Sequence, residues 1–212
     1  VVGERIEVTR QTIDPFDQFN PSNPQQGGKV DSTDLLPSAS LIVEISKRTK
    51  LRAAITRTLA RPQLRELAPF AYQDYFGGRF TSGNPNLKLT HITNVDLRYE
   101  FFPTVREVLA LSGFYKDLVD PIETVTQPTG DRGLVTFANA PGAKLYGVEL
   151  EARKSLEFLT TALKDFSTIA NLTLAKSSID LSGENRGNLT NTDRPLVNQA
   201  PYVLNLALDY SN

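Results

Sequence analysis

The chain has 212 residues with 23 basic and 24 acidic side chains, and its net charge of -1 argues against a nucleic-acid partner, which would require a basic excess. It contains no cysteine, which excludes disulfides, thiol nucleophiles and cysteine-ligated metals, and its one histidine argues against a histidine metal site or a serine–histidine–aspartate triad. No stretch reaches the ~20 apolar residues that a membrane helix needs.

Alternation of apolar and polar side chains with a period of two is the dominant pattern, and it predicts about eight β-strands. The chain opens with the first of them, Val2–Thr12. The others, in chain order, are Ser38–Ser46, Lys50–Thr58, Asn94–Phe101, Glu107–Lys116, Leu145–Arg153, Ile169–Lys176 and Tyr202–Tyr210. The pattern predicts no long helix.

The connections between these strands alternate in length. Two are short, around Lys47–Thr49 and in the segment FPTVRE, where Pro103 ends the strand because it has no N–H to donate. A third, of intermediate length, includes a predicted short helix at Leu156–Asp165. Four are long and rich in Gly, Pro, Asn, Asp and Ser, as loops require, and they are Ile13–Leu35, Leu59–Thr90, Val119–Pro141 and Ser177–Ala200.

Strands with alternating faces occur both in soluble β-sandwiches and in membrane barrels. Three features favour the barrel: strands longer than the usual ~5–6 residues, long loops at only one end of the sheet, and tyrosines and phenylalanines near the strand ends. One face, including Leu97, Leu150 and Leu206, would then contact lipid, while the other lines a hydrated interior. Burial of these three leucines between two stacked sheets would contradict this interpretation.

Five segments in order carry a family resemblance: TLARPQLRELAPF, GNPNLKLTHITNVDLRYEFFP, LALSGFYKDLVDPIE, NAPGAKLYGVELEARKSL and RPLVNQAPYVLNLALDY. Together they resemble the C-terminal part of the barrel of TonB-dependent outer-membrane receptors, over most of residues 36–211. The resemblance implies an all-β fold, an antiparallel up-and-down transmembrane β-barrel segment with about eight of roughly 22 strands. One departure is Leu89, where the family pattern has proline.

The resemblance also implies a function, which is TonB-dependent uptake of a ferric siderophore, cobalamin, glycan or peptide-like solute. Residues 1–212 would be part of a single receptor barrel domain without its plug domain, so we expect a piece of a longer receptor. The implied partners are outer-membrane lipid, the remaining strands and plug of the same receptor, TonB acting through that plug, and the solute. The implied location is the outer membrane of a Gram-negative bacterium.

The connection Arg61–Leu89 is long for a loop between strands, and loops of more than about 12–15 residues are usually functional or disordered. As an external loop it would supply charge and aromatic stacking to an anionic or aromatic-rich ligand. The candidate ligand-binding residues are Arg65, Tyr72, Tyr75, Phe76 and Arg79. Its motif residues have an architectural interpretation instead, in which they fix the path of the loop: Arg61-Pro62, Glu66-Leu67 and Asn84-Pro85.

Other candidate sites are weaker. Four aspartates, Asp14, Asp17, Asp31 and Asp34, are expected in one loop but match no calcium-binding spacing, and the pair Glu149 and Glu151 is explained by alternation on a hydrated wall. We therefore expect no catalytic residue, metal or cofactor, and no enzyme. Two alternatives remain: a complete eight-stranded outer-membrane barrel with a structural or adhesion role, and a soluble β-sandwich binding module.

Overall fold

Eight long antiparallel strands form one continuous sheet in the computed structural model, which describes residues 1–15, 26–73, 75–127, 133–181 and 193–211. In chain order the elements of these residues are β1 (Val2–Ile13), β2 (Gly28–Ser46), β3 (Thr49–Ala60), α1 (Leu64–Leu67), β4 (Ala71–Tyr72), β5 (Phe80–Ser82), β6 (Thr90–Phe101), β7 (Val108–Val119), β8 (Ile122–Gln127), β9 (Leu134–Asn139), β10 (Gly142–Ser155), the 3₁₀ helices Leu156–Phe158 and Thr161–Leu163, β11 (Phe166–Asp180), β12 (Asp193–Arg194) and β13 (Tyr202–Tyr210). Over the described ranges, no helix has the length and apolar character needed to cross a membrane.

The large sheet follows the order of the chain, with each long strand pairing antiparallel to the next. Its order is β1-β2-β3-β6-β7-β10-β11-β13, and the two-residue β12 also pairs with β11. This confirms the predicted up-and-down arrangement of about eight strands. In the part of the chain that the structure describes, β1 and β13 do not pair with each other, so the sheet is open and has two edges.

The two faces of the sheet differ in the way that the alternation predicts. Leu97, Leu150 and Leu206 are 52%, 49% and 69% exposed, so they are not buried between stacked sheets. Tyr115 of β7 and Tyr146 of β10 lie directly opposite each other on the same apolar face. A face so rich in exposed apolar side chains fits a lipid-facing wall and contradicts the soluble β-sandwich alternative.

The opposite face carries a network of charged side chains across neighbouring strands. Arg98 Nη2 lies 2.6 Å from Glu151 Oε2, and Arg98 Nε lies 2.8 Å from Glu100 Oε1. Arg52 Nε donates to the second oxygen of Glu100 at 2.9 Å. Glu151, one half of the glutamate pair in the sequence, is thus accounted for by an ion pair on this wall.

Gly147 shows why its strand requires glycine on the polar face. A Cβ atom there would lie 2.3 Å from the backbone oxygen of Leu174 and 2.6 Å from the Phe114 ring. Phe114 is the cross-strand partner of Gly147, and its ring occupies the space that a side chain would take. Any other residue would have to displace that ring or the strand.

The connections at the two ends of the sheet are unequal. At one end, which we call the short-turn end, the strands are connected by segments of two to ten residues. These segments are residues 47–48, 102–107 and 156–165. Glu107 is buried there and accepts a hydrogen bond from Lys154 Nζ at 2.9 Å. This bond, with help from the Ser155 N–H, holds the pKa of Glu107 below its ordinary value against the opposing effect of burial.

The structure corrects the predicted start of β2. The strand begins at Gly28, ten positions before Ser38, so the predicted loop Ile13–Leu35 is shorter and its last part is strand. Pro37 explains the error, since proline is usually excluded from paired strands. Pairing with β3 begins only at Ser38, so Pro37 pairs with β1 alone and leaves no second ladder incomplete.

Two other expectations about loops need correction. Asp31 and Asp34 lie on β2 instead of in a loop with Asp14; Asp31 pairs with Arg10 and Lys29, while Asp34 Oδ1 lies 2.8 Å from Nε2 of the single histidine, His91. Asp17 lies outside the described residues. The predicted helix Leu156–Asp165 is instead two separate 3₁₀ turns, and the connection Val119–Pro141 contains the strands β8 and β9.

Candidate functional site

Two of the long loops combine into one body at the long-loop end, which we call the cap. The cap consists of residues 61–73 and 75–89 from the loop after β3, and of residues 120–127 and 133–141 from the loop after β7. Their short strands form a second sheet in the order β4-β5-β9-β8. The strand β5 pairs parallel to β9, at Phe80 with Leu134 and Thr81 with Val135, so the two loops share backbone hydrogen bonding.

The cap has a small hydrophobic core of its own. Leu67, Leu87 and Leu89 are buried in it together with Val30 of β2. Partly buried residues from three other elements pack against this cluster: Ile13, Ile122 and Phe137. The core also explains the one departure from the family pattern, because the leucine at position 89 contributes a buried side chain.

The motif residues of the loop make the contacts that the architectural interpretation predicts. Arg61 forms an ion pair with Glu7 and donates to Thr9 Oγ1 at 3.0 Å, which ties the start of the loop to β1. The Glu66 carboxylate accepts from the Gln63 N–H at 2.8 Å and caps the short helix α1. These contacts fix the path of the chain and leave neither Arg61 nor Glu66 free for a ligand.

Gly83 and Asn84 close the loop on itself. A Cβ atom on Gly83 would lie 2.4 Å from the Ala68 oxygen, so the strand that returns from the tip passes against the helix as only glycine allows. The Asn84 backbone N–H donates to the backbone oxygen of Glu66 at 2.6 Å. The Asn84 side-chain amide donates to the backbone oxygen of Phe137 at 2.9 Å. Asn84 therefore joins both halves of the cap.

Asn139 is a second link between the two loops. Its side-chain oxygen accepts from the Lys88 N–H at 2.8 Å, while its amide group donates to the oxygens of Lys88 at 3.2 Å and Asp120 at 2.7 Å. Asp120 has a positive φ of 54°, so the turn after β7 is held in an uncommon conformation. One asparagine thus satisfies three backbone groups in two loops.

The loop after β11 contacts the cap through a charged pair. Arg194 Nη2 lies 2.8 Å from Glu123 Oε2, and both side chains are largely removed from solvent. Near the base of that loop, Ser177 Oγ donates to Gln199 at 2.5 Å and accepts from the Leu196 N–H at 2.9 Å. The described parts of three long loops therefore form one connected structure.

The predicted ligand-binding residues lie on the outside of this structure. Tyr75 and Phe76 are exposed at a tight turn in which Gly78 N–H donates to the Tyr75 oxygen at 3.0 Å and Gly77 has a φ of 80°. Arg79 follows directly and is exposed. The structure brings these three together at one tip. Tyr72 is half-buried and packs against Phe70, with 6.2 Å between ring centroids.

Arg65 lies apart from the tip, on the exposed side of α1. In the described part of the chain, neither Arg65 nor Arg79 makes an ion pair or a side-chain hydrogen bond. An unpaired guanidinium beside exposed rings offers bidentate donors and stacking surfaces, which suit an anionic or aromatic ligand. No contact in the structure tests this role, and it stays a prediction.

The sequence did not indicate three residues that position the site. Asn139 and the pair Glu123 and Arg194 appear in it as ordinary loop residues, because their partners are 19 to 71 positions away. The only local signal was the alternation in IETVTQ and LVTFAN, which is typical of short strands.

Comparison with known proteins places the chain in one family. The family model described as "TonB dependent receptor-like, beta-barrel" matches residues 1–212. No curated protein matches the chain. Among solved structures, the chain is similar over its whole length to the copper transporter OprC, with 17% identity, a TM-score of 0.67 and coverage of 29% of that protein.

Two further structures from Pseudomonas aeruginosa are similar. One is the ferric enterobactin receptor PfeA as its R480A mutant in complex with enterobactin, at 23% identity and a TM-score of 0.58, over 87% of this chain and 27% of that one. The other is the siderophore receptor PirA, at 22% identity and a TM-score of 0.56, over 74% and 34%. The chain thus spans about a third or less of these proteins, and at such identities the likeness shows the fold.

Proposed function

The chain belongs to the TonB-dependent receptor β-barrel family, and on that premise we propose that it is part of an outer-membrane receptor that takes up a scarce, large solute in a Gram-negative bacterium. Residues 1–212 are part of a single barrel domain in this proposal. The remaining strands of the barrel pair with the open edges β1 and β13, because unpaired edges are not tolerated in lipid. A plug and TonB act from outside this chain.

The observation that carries the proposal is the exposed tip of the cap. It presents two large rings, Tyr75 and Phe76, beside the unpaired guanidinium of Arg79. Large rings exposed together on a protein surface often mark a binding site. At the long-loop end of a receptor barrel, it faces the medium from which the solute arrives.

The solute classes that fit are a ferric siderophore, cobalamin, a glycan or a peptide-like molecule. A ferric siderophore is supported best, because an anionic chelate with aromatic rings complements guanidinium groups and stacking surfaces. Of the similar structures, PirA is named a siderophore receptor and PfeA a ferric enterobactin receptor. The cap residues that we propose to contact the solute are Arg65, Tyr72, Tyr75, Phe76 and Arg79.

The test is a deletion of residues Ala71–Phe80 in the whole receptor. Binding is measured with radioactive iron in enterobactin and in a hydroxamate siderophore, and with labelled cyanocobalamin. The solute that binds the wild-type receptor should no longer bind the deletion, because the tip is removed. The barrel should still insert, since the strands of the large sheet stay intact.

A paired substitution separates contact from folding. Replacing the two unpaired arginines (Arg65→Gln with Arg79→Gln) should weaken solute binding about tenfold or more, as loss of charge-assisted hydrogen bonds predicts. The matched control replaces two exposed arginines at the short-turn end, Arg48→Gln with Arg106→Gln, and should bind normally. Unchanged affinity in both the deletion and the cap double variant would refute the proposed contact.

A further inference from the structure

The tip of the cap is a tight turn on a paired base. The strands β4 and β5 pair with each other at two positions, and β5 pairs in turn with β9. At the end of this hairpin, the Gly78 N–H donates to the backbone oxygen of Tyr75 at 3.0 Å. Gly77 has a φ of 80°, the positive value that the third residue of a type II turn requires. The backbone of the tip therefore has a defined conformation.

Gly78 is buried beneath the ring of Tyr75. A Cβ atom at position 78 would lie 3.1 Å from Tyr75 Cζ and 3.2 Å from Tyr75 Cε1. Carbon atoms in ordinary contact are about 3.5–4.0 Å apart, so any side chain at this position would push the ring away. Tyr75 is nevertheless 72% exposed. Its ring thus rests on the turn and stays open to a ligand.

Gln73 holds the same glycine from the other side of the turn. Its side-chain Nε2 donates to the backbone oxygen of Gly78 at 2.8 Å, in a partly buried hydrogen bond. Gly78 is therefore fixed through both of its backbone polar groups, the N–H by Tyr75 and the oxygen by Gln73. Because the Tyr75 ring rests on Gly78, the Gln73 amide helps to set the position of that ring.

The neighbouring ring of Phe76 has no such support. Phe76 is fully exposed, and within the described part of the chain it forms no ring pair. A free ring loses rotamer freedom when a ligand immobilises it, whereas a ring that is already held loses little. The two rings of the tip are adjacent in sequence, yet the Tyr75 ring is the one that is organised before a ligand binds.

We propose that Gly78 and Gln73 are positioning residues, which hold the Tyr75 ring as a stacking platform for an aromatic ring of the solute. The exposed guanidinium of Arg79 follows Gly78 directly, so an anionic group of the same solute would lie beside the platform. The tip therefore favours a ferric chelate with aromatic chelating groups over one with aliphatic groups, because aromatic pairs gain free energy beyond the area they bury. This inference rests on the proposed solute contact at the cap and adds the residues that determine the choice of solute.

The test measures binding of radioactive iron to the whole receptor in two chelates, enterobactin with aromatic chelating groups and an aliphatic hydroxamate siderophore. Gly78→Ala places a methyl group against the Tyr75 ring and should weaken enterobactin binding about fivefold, the size of one aromatic pair. Gln73→Met keeps the length of the side chain, lacks the donor, and should act in the same direction. Any binding of the hydroxamate should be the same in both variants as in the wild type.

Repeating Gly78→Ala in two further backgrounds separates positioning from a general disturbance of the turn. In the Tyr75→Ala background it should have no further effect, because the ring through which Gly78 acts is absent. In the matched Phe76→Ala background it should keep its full effect. Hydrogen exchange of the amide at position 78 shows whether the turn persists in each variant, and it should stay protected.

Two kinds of result would overturn this inference and leave the uptake proposal standing. One is an effect of Gly78→Ala that persists in the Tyr75→Ala background. The other is a wild-type receptor that binds the hydroxamate or labelled cyanocobalamin more tightly than enterobactin. Unchanged enterobactin binding by Tyr75→Ala would also contradict the inference. The solute contact itself fails only if the tip deletion and the double arginine variant bind normally as well.

Discussion

Glu107 is a buried carboxylate in a six-residue turn, and its charge is stabilised by a single strong partner. Lys154 Nζ donates to it at 2.9 Å from the end of β10, and the Ser155 N–H donates to the same oxygen at 3.3 Å. The hydrogen bond from Lys154 lowers the pKa of Glu107 from its ordinary value of 4.5. This residue therefore joins the turn between β6 and β7 to the end of β10.

Because the pKa of Glu107 is lower in the folded state, its contribution to stability is present above pH 4.5 and is lost as the pH falls below that value. We expect Glu107→Gln to lower the free energy of unfolding by about 1 kcal/mol at pH 7. The measurement is the unfolding midpoint of the whole receptor in detergent, followed by circular dichroism. The difference from wild type should shrink as the pH falls from 4.5 through the lower pKa of Glu107 in the folded state.

A control on the same end of the sheet is Glu157→Gln. Glu157 is exposed and has no cationic partner among the described residues, so its loss should not shift the midpoint at any pH. If both variants shift the midpoint equally, the effect belongs to net charge at the short-turn end, and the specific bond to Lys154 is not its cause.

At the scale of elements, the parallel pairing of β5 and β9 makes two loops into one cap. The pairing involves two register positions, Phe80 with Leu134 and Thr81 with Val135. So short a ladder depends on support from side chains, and Asn139 supplies three of the surrounding hydrogen bonds. Asn139 therefore strengthens the link between the loops after β3 and β7, which Asn84 also joins.

We expect Asn139→Ala to weaken this coupling and leave the large sheet unchanged. Three lost hydrogen bonds should reduce protection of the β5 and β9 amides from hydrogen exchange by about tenfold or more. The control Asn86→Ala removes an exposed side chain with one long contact to Gln26 and should exchange as the wild type does. Unaltered protection at Thr81 and Val135 in Asn139→Ala would show that the backbone pairing is sufficient alone.

These elements also show how far the sequence predicts the structure. The strand Tyr202–Tyr210 has the predicted bounds, because its period-two pattern decides which side chains face outward and needs no distant partner. The predicted start of β2 was wrong, because Pro37 normally indicates the end of a paired strand. It is tolerated here because pairing with β3 begins only at Ser38. The strands β8 and β9 were missed although they pair with each other at six positions, because the segment around their short alternating patterns is rich in turn residues and was interpreted as a loop.

The candidate site divides in the same way. Exposure of Tyr75 and Phe76 is a property of a tight turn, and the glycines that follow them in the sequence indicate such a turn. The position of that tip above the barrel depends on Arg61, Asn84 and Asn139, whose partners are up to 53 positions away. The exposure of the tip could thus be predicted from the sequence, and the coupling between loops could not.

For the molecule as a whole, the two faces of the large sheet impose opposite environments on neighbouring residues of one strand. On β10, Glu149 lies on the polar face and Leu150 on the apolar face, although they are adjacent in sequence. In a membrane barrel, successive side chains of each strand alternate between lipid and the hydrated interior. A soluble sandwich has the same alternation, but a second sheet would then cover its apolar face. Here Leu97, Leu150 and Leu206 on β6, β10 and β13 are exposed, which favours a lipid-facing wall.

Spin labels can measure this alternation because the chain contributes no native cysteine. Single variants of the whole receptor are labelled and reconstituted in lipid, and relaxation by oxygen, which concentrates in hydrocarbon, is compared with relaxation by a water-soluble nickel chelate. Oxygen should dominate at Leu97→Cys, Leu150→Cys and Leu206→Cys. Relaxation by the nickel chelate should be stronger at the preceding positions, because these line the hydrated interior. These positions are Asp96→Cys, Glu149→Cys and Asn205→Cys. If the nickel chelate relaxed the leucine positions as strongly as their neighbours, the apolar face would lie in water, and the proposal for solute uptake would fail.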